Sequence, residues 1–157
     1  FDKFDTHISS SYQPAIQSMQ LVILRTMNEL MMKGDTEKAL QVGDRYFQSF
    51  PDMNFPFFYQ TLLMLQPYFQ AQQLERVSQV MEQLAINTAD RLDFYDSISP
   101  EQRSLSYAGE IARGEAIVKS LLAQVRRSDN EALKGSIEQI LANHAYLLAP
   151  AAPQNPG

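Results

Sequence analysis

The chain has 157 residues, 45% of them hydrophobic and 20% charged, an ordinary balance for one globular domain with a buried core. A net charge of −5 argues against nucleic-acid binding, which needs a basic stripe, and the absence of cysteine excludes disulfides, thiolate metal sites and a cysteine nucleophile. No apolar run approaches the roughly 18 residues that a membrane-spanning helix needs.

Residues 1–10 show no helical period, and Phe1, Phe4 and Ile8 are suited to dock on the helix that follows. A start at Phe1, with no signal-like segment, is the expected look of a piece cut from a longer protein. Ser10, Ser11 and Pro14 mark a helix start, because proline is tolerated in a first turn. The first helix is expected over 12–33, with Ile16, Met19, Ile23, Met27 and Leu30 on one face. Gly34 stands where that helix must stop, and glycine takes the left-handed conformation without a Cβ penalty. Asp35 is placed to cap the next helix, and Glu37 suits the positive end of its dipole. That second helix, over 36–49, carries Ala39, Gly43, Tyr46, Phe47 and Phe50 at helical spacing, and Pro51 ends it.

A loop with two prolines, 50–56, leads to a third helix over 56–71, where Pro67 predicts a kink or an early end. The fourth helix begins near Gln73 and lines up Val77, Met81, Leu84, Thr88, Leu92 and Tyr95. A shift of 38 positions maps Gly34 onto Gln72, Glu37 onto Glu75, Lys38 onto Arg76, Ala39 onto Val77 and Val42 onto Val80, a weak internal repeat. Ser99, Pro100 and Gln102 form a helix start with a capping box, and the fifth helix is expected to run to about Arg127. Gly109 and Gly114 inside it predict a close helix contact or a bend. Ser128–Glu131 reads as another capping box, opening a sixth helix with Leu133, Ile137, Ile140, His144 and Leu147 on one face. The tail 149–157 is expected to be disordered. No stretch alternates as a strand does.

Gly34, Asp35, Ala39 and Pro51 have the separations of a tetratricopeptide-type helical hairpin, which this stretch resembles. Met27, where such repeats usually have a small residue, and Gly43, where they usually have an aromatic, depart from the pattern. The fold expected is all-α: about six helices in tetratricopeptide-like hairpins, over about 12–50, 56–97 and 100–148, stacked as a short right-handed α-α superhelix in one domain, 1–148.

Catalytic chemistry is hard to place. His7 and His144 lie at opposite ends of the chain with no His-x-x-x-His pair, so neither a metal site nor a cofactor is expected. His144 falls on an apolar stripe and reads as a structural histidine near a helix end. Asp90, Asp93 and Asp96 recur every third residue; such a row could bind a cation, but the preferred reading is a solvated helix face. There is no Gly-rich phosphate loop and no Gly-x-Ser-x-Gly elbow, so no catalytic residues are assigned. Apolar residues in excess of one stripe are left either to be covered by the fifth and sixth helices or by residues 1–8, or to line a partner groove. On the first helix Leu21, Leu24 and Met31 lie off the stripe and join Asn28 and Met32; the same positions on the third helix are Tyr59, Leu62, Gln66, Phe69 and Gln70. Leu24, Asn28, Met31, Tyr59, Gln66 and Phe69 are the candidate groove residues. Methionine, aromatic and amide groups suit an adaptable peptide site.

The order of segments carries a further resemblance. An aliphatic helix ends in Leu30-Met31-Met32-Lys33-Gly34-Asp35-Thr36-Glu37-Lys38-Ala39, followed by Phe50-Pro51-Asp52 and Asn54-Phe55-Pro56-Phe57, then Tyr68-Phe69 and Leu92-Asp93-Phe94-Tyr95. In this order residues 12–98 resemble the C-terminal soluble region of a family of uncharacterised bacterial multi-pass membrane proteins, themselves similar to protein O-mannosyltransferase-type glycosyltransferases. The resemblance implies a membrane-embedded catalytic part upstream and a non-catalytic accessory domain on the extracytoplasmic, periplasmic side, with a protein or peptide partner. A free-standing protein–protein adaptor or scaffold is the alternative. A carbohydrate-binding module is a second alternative, with exposed Tyr59, Tyr68 and Tyr95 as its aromatic platforms.

Overall fold

The computed structural model describes residues 12–148, so the expectations for 1–10 and for the tail 149–157 lie outside the described residues. Every regular element among the described residues is helical. In chain order these are α1 (Gln13–Met32), α2 (Thr36–Ser49), α3 (Tyr59–Met64), α4 (Gln66–Gln70), α5 (Leu74–Ser97), a single turn α6 (Pro100–Gln102), a π-helical turn Arg103–Tyr107, α7 (Ala108–Arg126), α8 (Glu131–Ile140) and a 3-10 segment Ala142–Leu148. No helix among the described residues is long and apolar enough to cross a membrane. The chain divides into two compact units, one up to Leu84 and one from Ala85.

In the first unit α1 packs on α2 and also touches α3 and α4. Its inward stripe is Ile16, Gln20 and Met27, with Ile23, Leu24, Leu30 and Met31 half-buried. Met19, expected on that stripe, is exposed, and Gln20 takes the inward place instead. A periodicity count passes over glutamine, yet the step from Ile16 to Gln20 is one helical turn. The Gln20 amide is satisfied inside, donating to the Tyr46 hydroxyl at 2.6 Å, which removes the penalty a buried polar group otherwise carries.

α1 ends in a Schellman cap. Gly34 has φ 76°, its N–H donates to Met31 O at 3.0 Å, and the Asp35 N–H donates to Leu30 O at 2.9 Å. The same two bonds recur 38 positions on: the Gln72 N–H donates to Phe69 O at 3.1 Å and the Gln73 N–H to Tyr68 O at 2.9 Å. Gln72 has φ 57°, the one positive φ outside glycine among the described residues. The following helices open alike, with the Ala39 N–H donating to Asp35 O and the Val77 N–H to Gln73 O. The weak sequence repeat is therefore a repeat of backbone geometry. Gln72→Gly is expected to stabilise the protein by up to about 1 kcal/mol, since a left-handed glutamine is strained and glycine is not. Thermal unfolding of the single variant measures this.

Asp35 departs from its expected role. Its carboxylate makes no cap bond and pairs with Lys38. Its carbonyl alone starts α2. The third helix is also two helices rather than one. It starts at Tyr59, stops at Met64, and restarts as α4 with Pro67 in its first turn. Proline cannot donate and its ring crowds the carbonyl four residues back, so the helix breaks at Leu65. The 50–56 loop is more than a connection. Phe50, Phe55 and Phe57 are buried beside Tyr46 and Phe47, with ring centroids 5.3 Å apart for Phe50–Phe55 and 5.7 Å for Phe47–Phe57. Asp52 accepts from the Phe57 N–H at 2.7 Å and holds the loop's shape.

Met27 and Gly43, the two departures from the tetratricopeptide pattern, answer each other. Met27 is fully buried, and a Cβ on Gly43 would stand 2.8 Å from Met27 Cε and 2.5 Å from the Tyr68 hydroxyl. A large residue on α1 is matched by no side chain on α2.

In the second unit Ser99 caps as expected, accepting from the Gln102 N–H at 3.3 Å. The expected single fifth helix is interrupted, however, by the π-helical turn Arg103–Tyr107 before α7 begins. Of its two glycines, Gly114 marks a close contact: an added Cβ would lie 2.9 Å from Leu92 Cδ2. Gly109 faces open space apart from Arg113 at 3.7 Å. α7 packs on α8 through Ile117, Val118, Leu121, Leu122 and Val125 on one side and Leu133 and Ile137 on the other. The cap of α8 is Asn130, whose side chain accepts from the Leu133 N–H at 3.0 Å; Ser128, expected there, accepts from the Asn130 N–H at 3.1 Å and shapes the approach. α8 stops at Ile140, and the 3-10 segment then carries His144 inward.

Candidate functional site

The six candidate groove residues all fall in the first unit, on α1, α3 and α4. Leu24 and Met31 are half-buried and Asn28 is exposed. Tyr59 is 44% exposed, Gln66 is exposed and Phe69 is half-buried. Met31, Tyr59 and Phe69 are thus not sealed in the core. Leu21 and Leu63 extend the apolar surface at 46% and 41% exposure. Leu62, also expected at the groove, is buried instead, at 3% exposure. The strip on α1 is one helix face; its counterpart is divided between two short helices.

A polar cluster lies behind α4. The Tyr68 hydroxyl donates to Asp44 at 2.9 Å and lies 3.3 Å from Leu40 O, while Arg76 approaches Asp44 at 3.6 Å and sits 5.7 Å over the Phe47 ring. Burial, then the bond to Asp44 and its charge, push the Tyr68 hydroxyl pKa well up, with Arg76 opposing. Burial likewise raises Tyr46, with the Gln20 bond opposing. Such groups keep their protons and serve as fixed donors or acceptors, not as acids or nucleophiles near neutrality. In alkali the native state holds these protons after the unfolded chain has lost them, so stability is complete below pH 10.0, the ordinary tyrosine value, and falls as pH rises above it. Unfolding midpoints measured from pH 8 to 12 should show this fall, and Tyr68→Phe should make it shallower.

The carbohydrate-platform expectation is corrected here. Tyr68 is 2% exposed and Tyr95 8% exposed, so neither offers a ring face to a sugar. Tyr68 is held by Asp44, and Tyr95 packs against Phe94 and Tyr107 with centroids at 5.5 and 5.1 Å. Their hydroxyls suggest surface residues, but ring area decides, and it is buried.

In the second unit His144 and two aspartates meet. His144 is 1% exposed, and its Nε2 lies 3.2 Å from Asp93 Oδ1. Asp96 stands one turn further along α5 and pairs with Arg103 at 2.6 Å. One ligand atom from each of Asp93, Asp96 and His144 lies within 4.8 Å of the others. Asp90, the first of the acidic row, is exposed outside this group. Sequence spacing alone linked the three aspartates and left His144 apart, since the turn at Ser128–Asn130 that brings it back has no length signature. No protein-family model, curated protein or solved structure matches the chain.

Proposed function

We propose that this chain is a non-catalytic helical-repeat domain of tetratricopeptide type, which binds a protein or peptide partner along α1 and the α3–α4 pair. The duplicated Schellman turn supports the repeat, because it sets equivalent residues of two successive units in one register. The observation that carries the interaction role is the apolar and amide surface left open at those equivalent positions. Leu21 corresponds to Tyr59, Asn28 to Gln66 and Met31 to Phe69, and none of the six is buried. Arrays of this kind engage extended or helical peptides through such rows of anchors.

Alanine at Tyr59 should weaken a display-selected peptide ligand roughly 30-fold, the loss of about 2 kcal/mol usual for an aromatic anchor. The thermal midpoint should stay in place, because the side chain is 44% exposed. Titration calorimetry of both proteins gives the ratio; equal affinities would contradict the proposed face.

The resemblance of the segment order to the glycosyltransferase-like membrane family is the ground for proposing a parent protein with this domain as its extracytoplasmic C-terminal part. The coding sequence upstream of Phe1 tests that parentage directly. Several spans of about 20 apolar residues are expected. A soluble upstream sequence would instead make the domain a free-standing adaptor.

A further inference from the structure

We propose that Asp93, Asp96 and His144 form a site for a divalent transition-metal ion, Zn²⁺ by donor set, with water in the remaining position. Two carboxylates three residues apart stand on one face of α5, and a cluster of that kind alone means little on a helix surface. His144 changes its meaning. The imidazole is 1% exposed, yet neither ring nitrogen has a hydrogen-bond partner among the described residues. Its Nε2 approaches Asp93 Oδ1 to 3.2 Å, an ion-pair distance without the alignment of a hydrogen bond. Two ligand atoms each about 2.1 Å from a tetrahedral ion stand about 3.4 Å apart, close to the 3.2 Å between His144 Nε2 and Asp93 Oδ1. An ion held between them would accept the imidazole lone pair that the fold buries.

The chemistry of the set narrows the ion. Imidazole nitrogen with two carboxylate oxygens suits zinc and its first-row neighbours, whereas Ca²⁺ and Mg²⁺ take oxygen ligands throughout. Three protein ligands leave one tetrahedral position open, and both aspartates are exposed, so the ion can enter from solvent. Arg103 holds Asp96 Oδ1 at 2.6 Å. A carboxylate has lone pairs for both partners, but the guanidinium charge opposes a cation. Arg103 therefore tunes the site downward. The bound ion would tie the C-terminal half of α5 to the 3-10 segment inside the second unit.

Zn²⁺ titrated into the 157-residue chain, followed by calorimetry, tests the proposal. Saturable binding of one equivalent is expected. Asp93→Asn and Asp96→Asn should each weaken it roughly tenfold or more. Asp90→Asn should leave it unchanged, and Arg103→Gln should tighten it. His144→Ala opens a hole in the core and can unfold the unit, so the imidazole is followed instead by its ¹⁵N signals, which should shift on addition of one equivalent of Zn²⁺. No saturable binding, binding that both aspartate variants retain within about twofold, or binding that leaves the His144 nitrogens unmoved would each overturn the site.

Discussion

Tyr46→Ala should lower the unfolding free energy by about 3–5 kcal/mol, the cost usual for truncating a buried aromatic residue. Tyr46 is 2% exposed and joins α2 to the loop that follows, stacked on Phe50 at 5.3 Å and edge-on to Phe47 at 5.2 Å. It is also the hydrogen-bond partner of buried Gln20. Alanine would remove both the packing and the partner. Against a total stability of about 5–15 kcal/mol, such a loss is a large fraction of what holds the native state. Tyr46→Phe separates the two parts, because it keeps the ring and strands the Gln20 amide, for about 1–3 kcal/mol. Denaturant unfolding of both variants measures the split. Equal losses would show that the hydroxyl, not the ring, holds α1 to α2.

Gly43→Ala sets two effects of opposite sign against each other. In an open helix the change would stabilise by up to about 1 kcal/mol through backbone entropy. Here the new methyl meets the Tyr68 hydroxyl at 2.5 Å and Met27 Cε at 2.8 Å. The methionine end can swing away. The hydroxyl cannot, since it is anchored on Asp44 from the end of a rigid ring. Overpacking of this kind costs about 1–3 kcal/mol, so destabilisation wins. The same substitution should cost less in a Tyr68→Phe background, where the oxygen is gone. A double-mutant cycle on thermal or denaturant stability reads that coupling; strict additivity would mean that Gly43 is not making room for Tyr68.

These two sites show what the sequence could and could not convey. The helix ends at Gly34 and Pro51 were legible because each rests on a local property of one residue, a tolerated positive φ or a missing donor. The matching turn at Gln72 was visible only through the 38-residue shift, since glutamine does not announce a left-handed conformation. Gln20 and Met19 exchanged places because inward-facing amides depend on a distant partner, Tyr46, that no periodicity reveals. The π-helical turn at Arg103–Tyr107 follows a good cap and precedes a good helix, so nothing local predicts it. The groove residues were assigned by register, and none of those on α1 is buried; the register fails at Leu62, which is buried inside α3. The meeting of His144 with Asp93 is a long-range contact and left no mark on either segment.

The partner face itself can be read most directly through methionine methyl NMR. The chain has seven methionines, and they sample the surfaces that matter. Met31 lies half-buried on the proposed face, Met27, Met64 and Met81 are fully buried, and Met53 is 54% exposed on the loop. With methyl-labelled protein and a display-selected peptide, the Met31 signal should move in proportion to saturation while Met53 stays still. Alanine at Tyr59 should abolish the movement at the same peptide concentration. Shifts centred on Met53, or a peptide that binds without disturbing Met31, would contradict an interaction face built from α1, α3 and α4.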